Sequence, residues 1–351
     1  MAGLPMSNPP RGMDEHSGAH TRLTRRAALR LGGALAAGAA LTGGAAWMRR
    51  REGGMRAEVC IVDAPDYVRD LAARIADGLA ALSIGRADVR GKRVLLKPNL
   101  VETAVAHAHI NTHPALVVAA AEAFARLGAA QVIVAEGQGH RRDSWIVLEE
   151  SGMCAALRSA GLPFVDLNHD DVRSVANRGA WTTWNELHLP ETLLRADLVV
   201  SLPKLKTHHW VGVTCAMKNL FGVMPGVVYG WPKNVLHYAG IDEAILDINA
   251  TVRPWLAIVD GVVGMEGDGP IMGTPKPLGA LVLGRSLPAV DATCARLMGL
   301  NPRGVGYLKQ ASGRLGPVLE GNIAQRGEPV ERYRTTFALL DEPHLRAVRG
   351  A

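Results

Sequence analysis

Ser201-Leu202-Pro203-Lys204-Leu205-Lys206-Thr207-His208-His209-Trp210 is the stretch whose reading decides the fold and the site of this chain. The apolar run before it, Leu198-Val199-Val200, has the composition of a buried strand, and Pro203 keeps Leu202 extended. If the backbone stays extended, its two-residue period puts Lys204, Lys206 and His208 on one side and Leu205 and Thr207 on the other. Three nitrogen groups then face one spot just past a buried strand. A further cation, Lys218, arrives with the amide of Asn219 in a segment that reads as one short helix bounded by Gly222. A solvated basic loop would carry the same charge, but it would not interleave it with apolar residues.

Outward from this stretch, strand-like and helix-like segments alternate. Val59 to Val62, Arg93 to Leu96, Gln131 to Val134, Phe164-Val165, Leu198 to Leu202, Leu256 to Val259 and Ala280 to Leu283 read as strands. Tyr67 to Leu82, Pro114 to Leu127 and Ser144 to Ala160 read as helices, the second with proline suited to its first turn. Residues 170 to 189 read as a surface excursion or hairpin. Repeated strand-helix-strand units predict an α/β fold: a mainly parallel sheet with helices on both faces, in Rossmann-like layers.

Each apolar run stops at chemistry. Lys97-Pro98-Asn99, Glu136-Gly137-Gln138-Gly139-His140, the Lys204 to His208 segment and Asp260-Gly261 all follow directly on a strand. In an open parallel sheet the carboxyl ends of the strands share one edge, and ligands bind in the crevice outside it. Glycines at 137, 139, 264, 267, 269 and 273 permit positive φ and close backbone approach, yet they form neither a Walker loop nor a dinucleotide fingerprint. No nucleophile elbow and no His-Glu-x-x-His motif occur.

These motifs resemble the family called domain of unknown function 362, whose pattern is a Pro-Lys-x-Lys-Thr-His segment followed by Lys-Asn-x-x-Gly. The likeness extends through Lys97-Pro98-Asn99, Glu136-Gly137, Asp260-Gly261, Glu266-Gly267-x-Gly269-Pro270 and Asp291, from about Ala57 to Asn301. His237 stands where the family often has a histidine. The family name implies a fold and a site but no established reaction. In layout the chain is also loosely similar to nickel-dependent lactate racemases, of which it matches no motif residue by residue.

The first 56 residues differ from the rest. They hold nine arginines against Asp14, Glu15 and Glu52, which already accounts for the net charge of +6 of the whole 351-residue chain, so the remainder is formally neutral. That balance argues against a nucleic-acid surface. Thr24-Arg25-Arg26-Ala27-Ala28-Leu29-Arg30 resembles a twin-arginine export signal, followed by a short Ala/Gly-rich run and a small-residue cleavage site at Gly44-Ala45-Ala46. Engagement of the twin-arginine machinery and a periplasmic location are expected, with an uncleaved anchor as the alternative and no stable membrane span beyond the leader. One α/β domain is expected over 57 to 351, with two lobes as an alternative. The four cysteines, at 60, 154, 215 and 294, form no Cys-x-x-Cys pair and are expected to be buried small hydrophobes.

The chain is thus expected to bind a small carboxylate or phosphate at the carboxyl edge of the sheet. Lys97, Asn99, Lys204, Lys218, Asn219 and His237 are the expected binding groups, and His208, Glu136 and Lys206 the candidates for acid-base work. Asp260, Glu266 and Asp291 are candidate oxygen ligands for a divalent metal. The competing class is a non-catalytic protein that holds a metal, an iron-sulfur cluster or an organic cofactor.

Overall fold

In a computed structural model, residues 48 to 349 are described, except positions 49, 69, 104 to 106, 108 and 140 to 142. The twin-arginine segment, its cleavage site and His140 lie outside the described residues. Residues from Met48 onward form one compact unit. Its edge differs from the expected one at 57: Met48 is buried, and Glu52 is wholly buried. Glu52 accepts hydrogen bonds from Ser312 Oγ at 2.6 Å, the Val318 amide at 2.7 Å and Asn322 Nδ2 at 2.8 Å. Residues just before the first strand therefore belong to the folded body.

Twelve strands are present among the described residues: β1 (Ala57–Asp63), β2 (Arg93–Pro98), β3 (Gln131–Glu136), β4 (Phe164–Asp166), β5 (Val172–Ala176), β6 (Glu186–Pro190), β7 (Leu198–Leu202), β8 (Lys204–His208), β9 (Gly212–Thr214), β10 (Leu256–Glu266), β11 (Thr274–Gly284) and β12 (Ile323–Gly327). The large sheet runs β12-β1-β11-β10-β7-β2-β3-β4. The pairs β10-β7, β7-β2, β2-β3, β3-β4 and β1-β12 are parallel, and β11 is antiparallel to both its neighbours. The excursion at residues 170 to 189 contains the antiparallel hairpin β5-β6.

Alternation along the strands divides the core between the two faces. Val59, Ile61, Ala257 and Val259 pack on one side with helices α7 (Ile241–Val252) and α8 (Leu287–Leu297). Cys60, Leu256 and Ile258 pack on the other with α1 (Leu71–Ala81) and α2 (Pro114–Arg126). This is the two-faced layering expected of a parallel sheet.

Local chemistry sets the element limits. The α1 helix starts four residues later than expected because the Asp70 carboxylate caps it at the Ala73 amide. The helix expected over 144 to 160 is two helices, α3 (Ser144–Glu150) and α4 (Met153–Ser159), split where Gly152 takes φ 75°. The glycine-rich run 267 to 273 is the tip of the β10-β11 hairpin. It lies against β8, through Thr207 Oγ to Gly267 O at 2.9 Å and the His209 amide to Gly269 O at 3.0 Å. Cys60, Cys215 and Cys294 are buried and Cys154 is partly exposed. Among the described residues, no helix is long and apolar enough to cross a membrane.

Candidate functional site

At the carboxyl ends of β2 and β3, Lys97 and Glu136 form an ion pair at 2.7 Å with both side chains almost wholly buried. The remaining hydrogen-bonding capacity of each is also engaged. Lys97 Nζ donates to Pro98 O at 2.9 Å and to Asn219 Oδ1 at 3.1 Å. Glu136 accepts from the Leu100 amide at 3.1 Å and the Gly137 amide at 3.0 Å. Asn219 closes the arrangement from the short helix α5 (Ala216–Asn219), its Nδ2 donating to Lys97 O and Ser201 Oγ, both at 3.0 Å. Gly222 then packs so tightly that a Cβ there would collide with the Glu136 carboxylate and the Lys97 ammonium. In the Lys-Asn-x-x-Gly segment, Asn219 and Gly222 thus hold the ion pair, while Lys97 and Asn219 also border the adjoining cavity.

A second buried pair links the first residue of β8 to the middle of β10. Lys204 and Asp260 are 2.5 Å apart and wholly buried. Asp260 also accepts from Tyr67 Oη at 2.8 Å and the His113 amide at 2.9 Å, while Tyr67 stacks on the His113 ring at 3.8 Å. Lys204 is therefore consumed by Asp260. Lys97, Glu136, Lys204 and Asp260, each expected at the ligand crevice, thus form two self-neutralised pairs.

Beside the first pair lies a cavity of about 120 Å³. It brings together Asn99, His208, Lys218 and His237 with the Lys97-Glu136 pair, and adds Thr214 and Lys233. Lys206 is outside its lining. That side chain is buried with only Pro270 O as acceptor among the described residues, at 3.1 Å, and burial followed by repulsion from Lys204 and Lys218 holds its pKa well below the ordinary lysine value.

The two histidines are set in opposite ways. His208 Nδ1 accepts from the Trp210 amide at 3.0 Å, with the Val211 amide at 3.4 Å, so the neutral ring carries its proton on Nε2. Burial, then the Lys218 charge, pushes its pKa well below the usual imidazole value. The expected role of His208 as a base is thereby replaced by that of a hydrogen-bond donor. His237 Nδ1 faces Lys233 O at 3.1 Å, and a carbonyl only accepts, so Nδ1 holds the proton and Nε2 keeps a free lone pair. Burial and then Lys218 lower its pKa too. One ring offers N–H and the other a base.

Lys218 is the cation open to a ligand. Its Nζ lies 3.8 Å from the Phe221 ring centroid, with no hydrogen-bond acceptor among the described residues, and burial reinforced by Lys97 brings its pKa to about 7. Lys233, in the left-handed conformation at φ 63°, reaches Gly137 O at 2.5 Å and is also pushed to about 7, chiefly by burial. Asn99 Oδ1 and Thr214 Oγ1 are buried without a hydrogen-bond partner among the described residues. Such orphans are rare in folded proteins and fit a site that awaits a polar ligand. Lys233 and Thr214 escaped sequence reading; the one available signal was the Gly230-Trp231-Pro232-Lys233 turn, which forces a non-glycine residue into a strained backbone.

The three carboxylates expected to share a metal do not converge. Asp260 is held by Lys204 and Tyr67. Glu266 accepts from the Ala338 amide at 2.9 Å and lies 3.5 Å from Lys276. Asp291 accepts from the Ala216 and Met217 amides, at 2.7 and 3.1 Å, and from Tyr307 Oη at 3.0 Å. It caps the N-terminus of α5, the helix that carries Lys218, rather than that of its own helix. Protein donors already fill these oxygens, so this set does not fit a metal ion. Of the histidines after β2, His113 belongs to the Asp260 cluster and His107 is exposed.

A family model described as a domain of unknown function, DUF362, matches residues 94–296. A thylakoid-associated protein of Synechocystis sp. is 30% identical over 218 residues, covering 60% of this chain and 64% of that relative. The chain thus spans just under two thirds of that relative's length. Among solved structures, the lactate racemase apoprotein of Thermoanaerobacterium thermosaccharolyticum superposes with a TM-score of 0.39 and 13% identity, over 61% of this chain and 52% of that one. A Thermotoga maritima protein gives 0.36 and 14%, over 64% and 58%. Neither superposition is close enough to carry a residue's role across.

Proposed function

We propose that this chain, which belongs to the DUF362 family of unknown function, is an enzyme that binds a small organic carboxylate in the Lys218 cavity and moves a proton on it through His237. The observation that supports this reading is the pair of opposed imidazole tautomers on one cavity, with a cation between them in charge. The Lys218 ammonium and the His208 Nε2–H hold the carboxylate as charge-assisted and neutral donors respectively. Thr214 Oγ1 and Asn99 Oδ1 receive the polar groups of the remainder. His237 Nε2 takes the proton from the carbon next to the carboxylate, and the negative charge left behind is stabilised by the surrounding ammonium groups. A dry cavity of 150 Å³ is known to admit benzene, so 120 Å³ holds about five non-hydrogen atoms, the size of the smallest hydroxy acids.

The supporting chemistry uses no metal, because the expected ligand set is engaged elsewhere. Export by the twin-arginine route belongs to the same proposal and rests on the Thr24 to Arg30 segment; fractionation of the native host tests it, and a cytoplasmic pool alone refutes it.

The test of the reaction is solvent isotope exchange. Short 2-hydroxy acids, which carry a hydrogen on the carbon next to the carboxylate, are incubated with the protein in deuterated buffer and followed by NMR. Loss of the α C–H signal is expected with the wild type and is lost in His237→Gln, which still binds the acid. Binding with no exchange for any acid makes the protein a carrier instead, the alternative class.

A further inference from the structure

Just before the amino end of β10 lies a larger cavity, of about 420 Å³, that shares no lining residue with the first. It is bordered by Arg178, Arg253, Arg285 and Arg314, and no Asp or Glu is among its lining residues. In a body whose charges otherwise balance, four guanidiniums round one hollow are an excess. Asp88 offsets one of them through an ion pair with Arg285 at 2.8 Å. Arg178 and Arg253 are exposed and make no ion pair among the described residues.

Two of the four are oriented before any ligand arrives. The Arg314 guanidinium lies 3.5 Å from the Trp181 ring centroid and Arg285 lies 4.8 Å from that of Trp255. Stacking fixes the plane of each guanidinium and leaves N–H edges for in-plane acceptors, the geometry that suits bidentate contact with phosphate. The floor carries two further groups. Asn249 is buried, its Nδ2 engaged by Met217 O and Ile245 O, and its Oδ1 has no partner. Ser286, at the N-cap of the eleven-residue α8, makes no capping bond, and its Oγ is buried without a partner. The amino end of α8 adds its own positive potential to the same hollow.

We propose that this cavity is a second ligand site, for a soluble molecule bearing a diphosphate and a body of nucleoside size. Four guanidiniums less one carboxylate match a ligand of about three negative charges, and the volume falls in the range of about 300–1,000 Å³ usual for small-molecule sites. A lone phosphate would leave most of the hollow empty. The ligand body occupies the space beside Asn249 and Trp181, and the diphosphate bridges Arg253 and Arg285 at the helix end.

Isothermal titration of the full chain with ADP and with pyrophosphate at 0.1 M salt tests this. The wild type is expected to bind both, ADP more tightly. Arg178→Ala/Arg253→Ala is expected to weaken ADP at least tenfold with an unchanged melting temperature, whereas Lys218→Met leaves ADP binding intact. As a check free of mutation, ADP is expected to protect Arg178 and Arg253 from phenylglyoxal, read by mass spectrometry. Absence of saturable binding by the wild type, an unaffected double variant, or a loss caused by Lys218→Met instead would overturn the second site.

Discussion

The two buried lysine-carboxylate pairs make an informative comparison. Lys97-Glu136 and Lys204-Asp260 both join neighbouring segments of the sheet, the first at the carboxyl ends of β2 and β3 and the second between the start of β8 and the middle of β10; both are buried, and both sit at hydrogen-bonding distance. They differ in what adjoins them. Lys97-Glu136 forms one wall of a cavity, with Lys218 and His237 beside it, whereas Lys204-Asp260 is sealed by Tyr67 and His113. The same chemistry therefore serves two ends. The sealed pair fastens β8 to β10, ahead of His208 on the same strand, and the open pair sets the electrostatics of the cavity it borders.

Mutation should separate the two roles. Breaking the sealed pair has the largest effect: Asp260→Ala leaves an ammonium buried without its counter-ion and is expected to cost about 3–5 kcal/mol in urea unfolding. Glu136→Gln keeps the shape and one acceptor, and the adjoining cavity admits water, so a loss of about 2 kcal/mol is expected by the same measurement. Equal losses for the two would remove the distinction between open and sealed.

The smallest expected effect is a dependence of stability on pH. Lys218 and Lys233 titrate near 7 in the folded protein and about three units higher when unfolded. Between pH 7 and 8 the unfolded chain binds these protons and the folded chain progressively releases them, so stability rises with pH. A melting midpoint that climbs across this interval in the wild type, and climbs less in Lys218→Met, is the expected result.

Much of the fold was legible because burial on both faces gives continuous apolar runs: Val59 to Val62, Arg93 to Leu96 and Leu198 to Leu202 are strands where they were expected. Later elements such as β12 were missed, since Ile323–Gly327 is a largely exposed edge strand with one apolar residue of size. At the site, the residue types were legible and their pairings were not. Lys97 meets Glu136 across 39 residues and Asn219 across 122, and nothing local records which cation an acid will neutralise. The roles of His208 and His237 were equally hidden, because a backbone amide on one Nδ1 and a carbonyl on the other decide them. Asp291 was expected as an oxygen ligand for a metal and instead caps α5.

The central claim is that a small carboxylate binds at Lys218 and holds a proton there that the free protein gives up. Titration calorimetry with short hydroxy and oxo acids at pH 8, repeated in buffers of different ionisation enthalpy, measures this directly. Uptake of about one proton per bound acid is predicted, with affinity falling as pH rises above 7 and the uptake abolished in Lys218→Met. Binding without proton uptake, or uptake that survives removal of Lys218, would contradict the account.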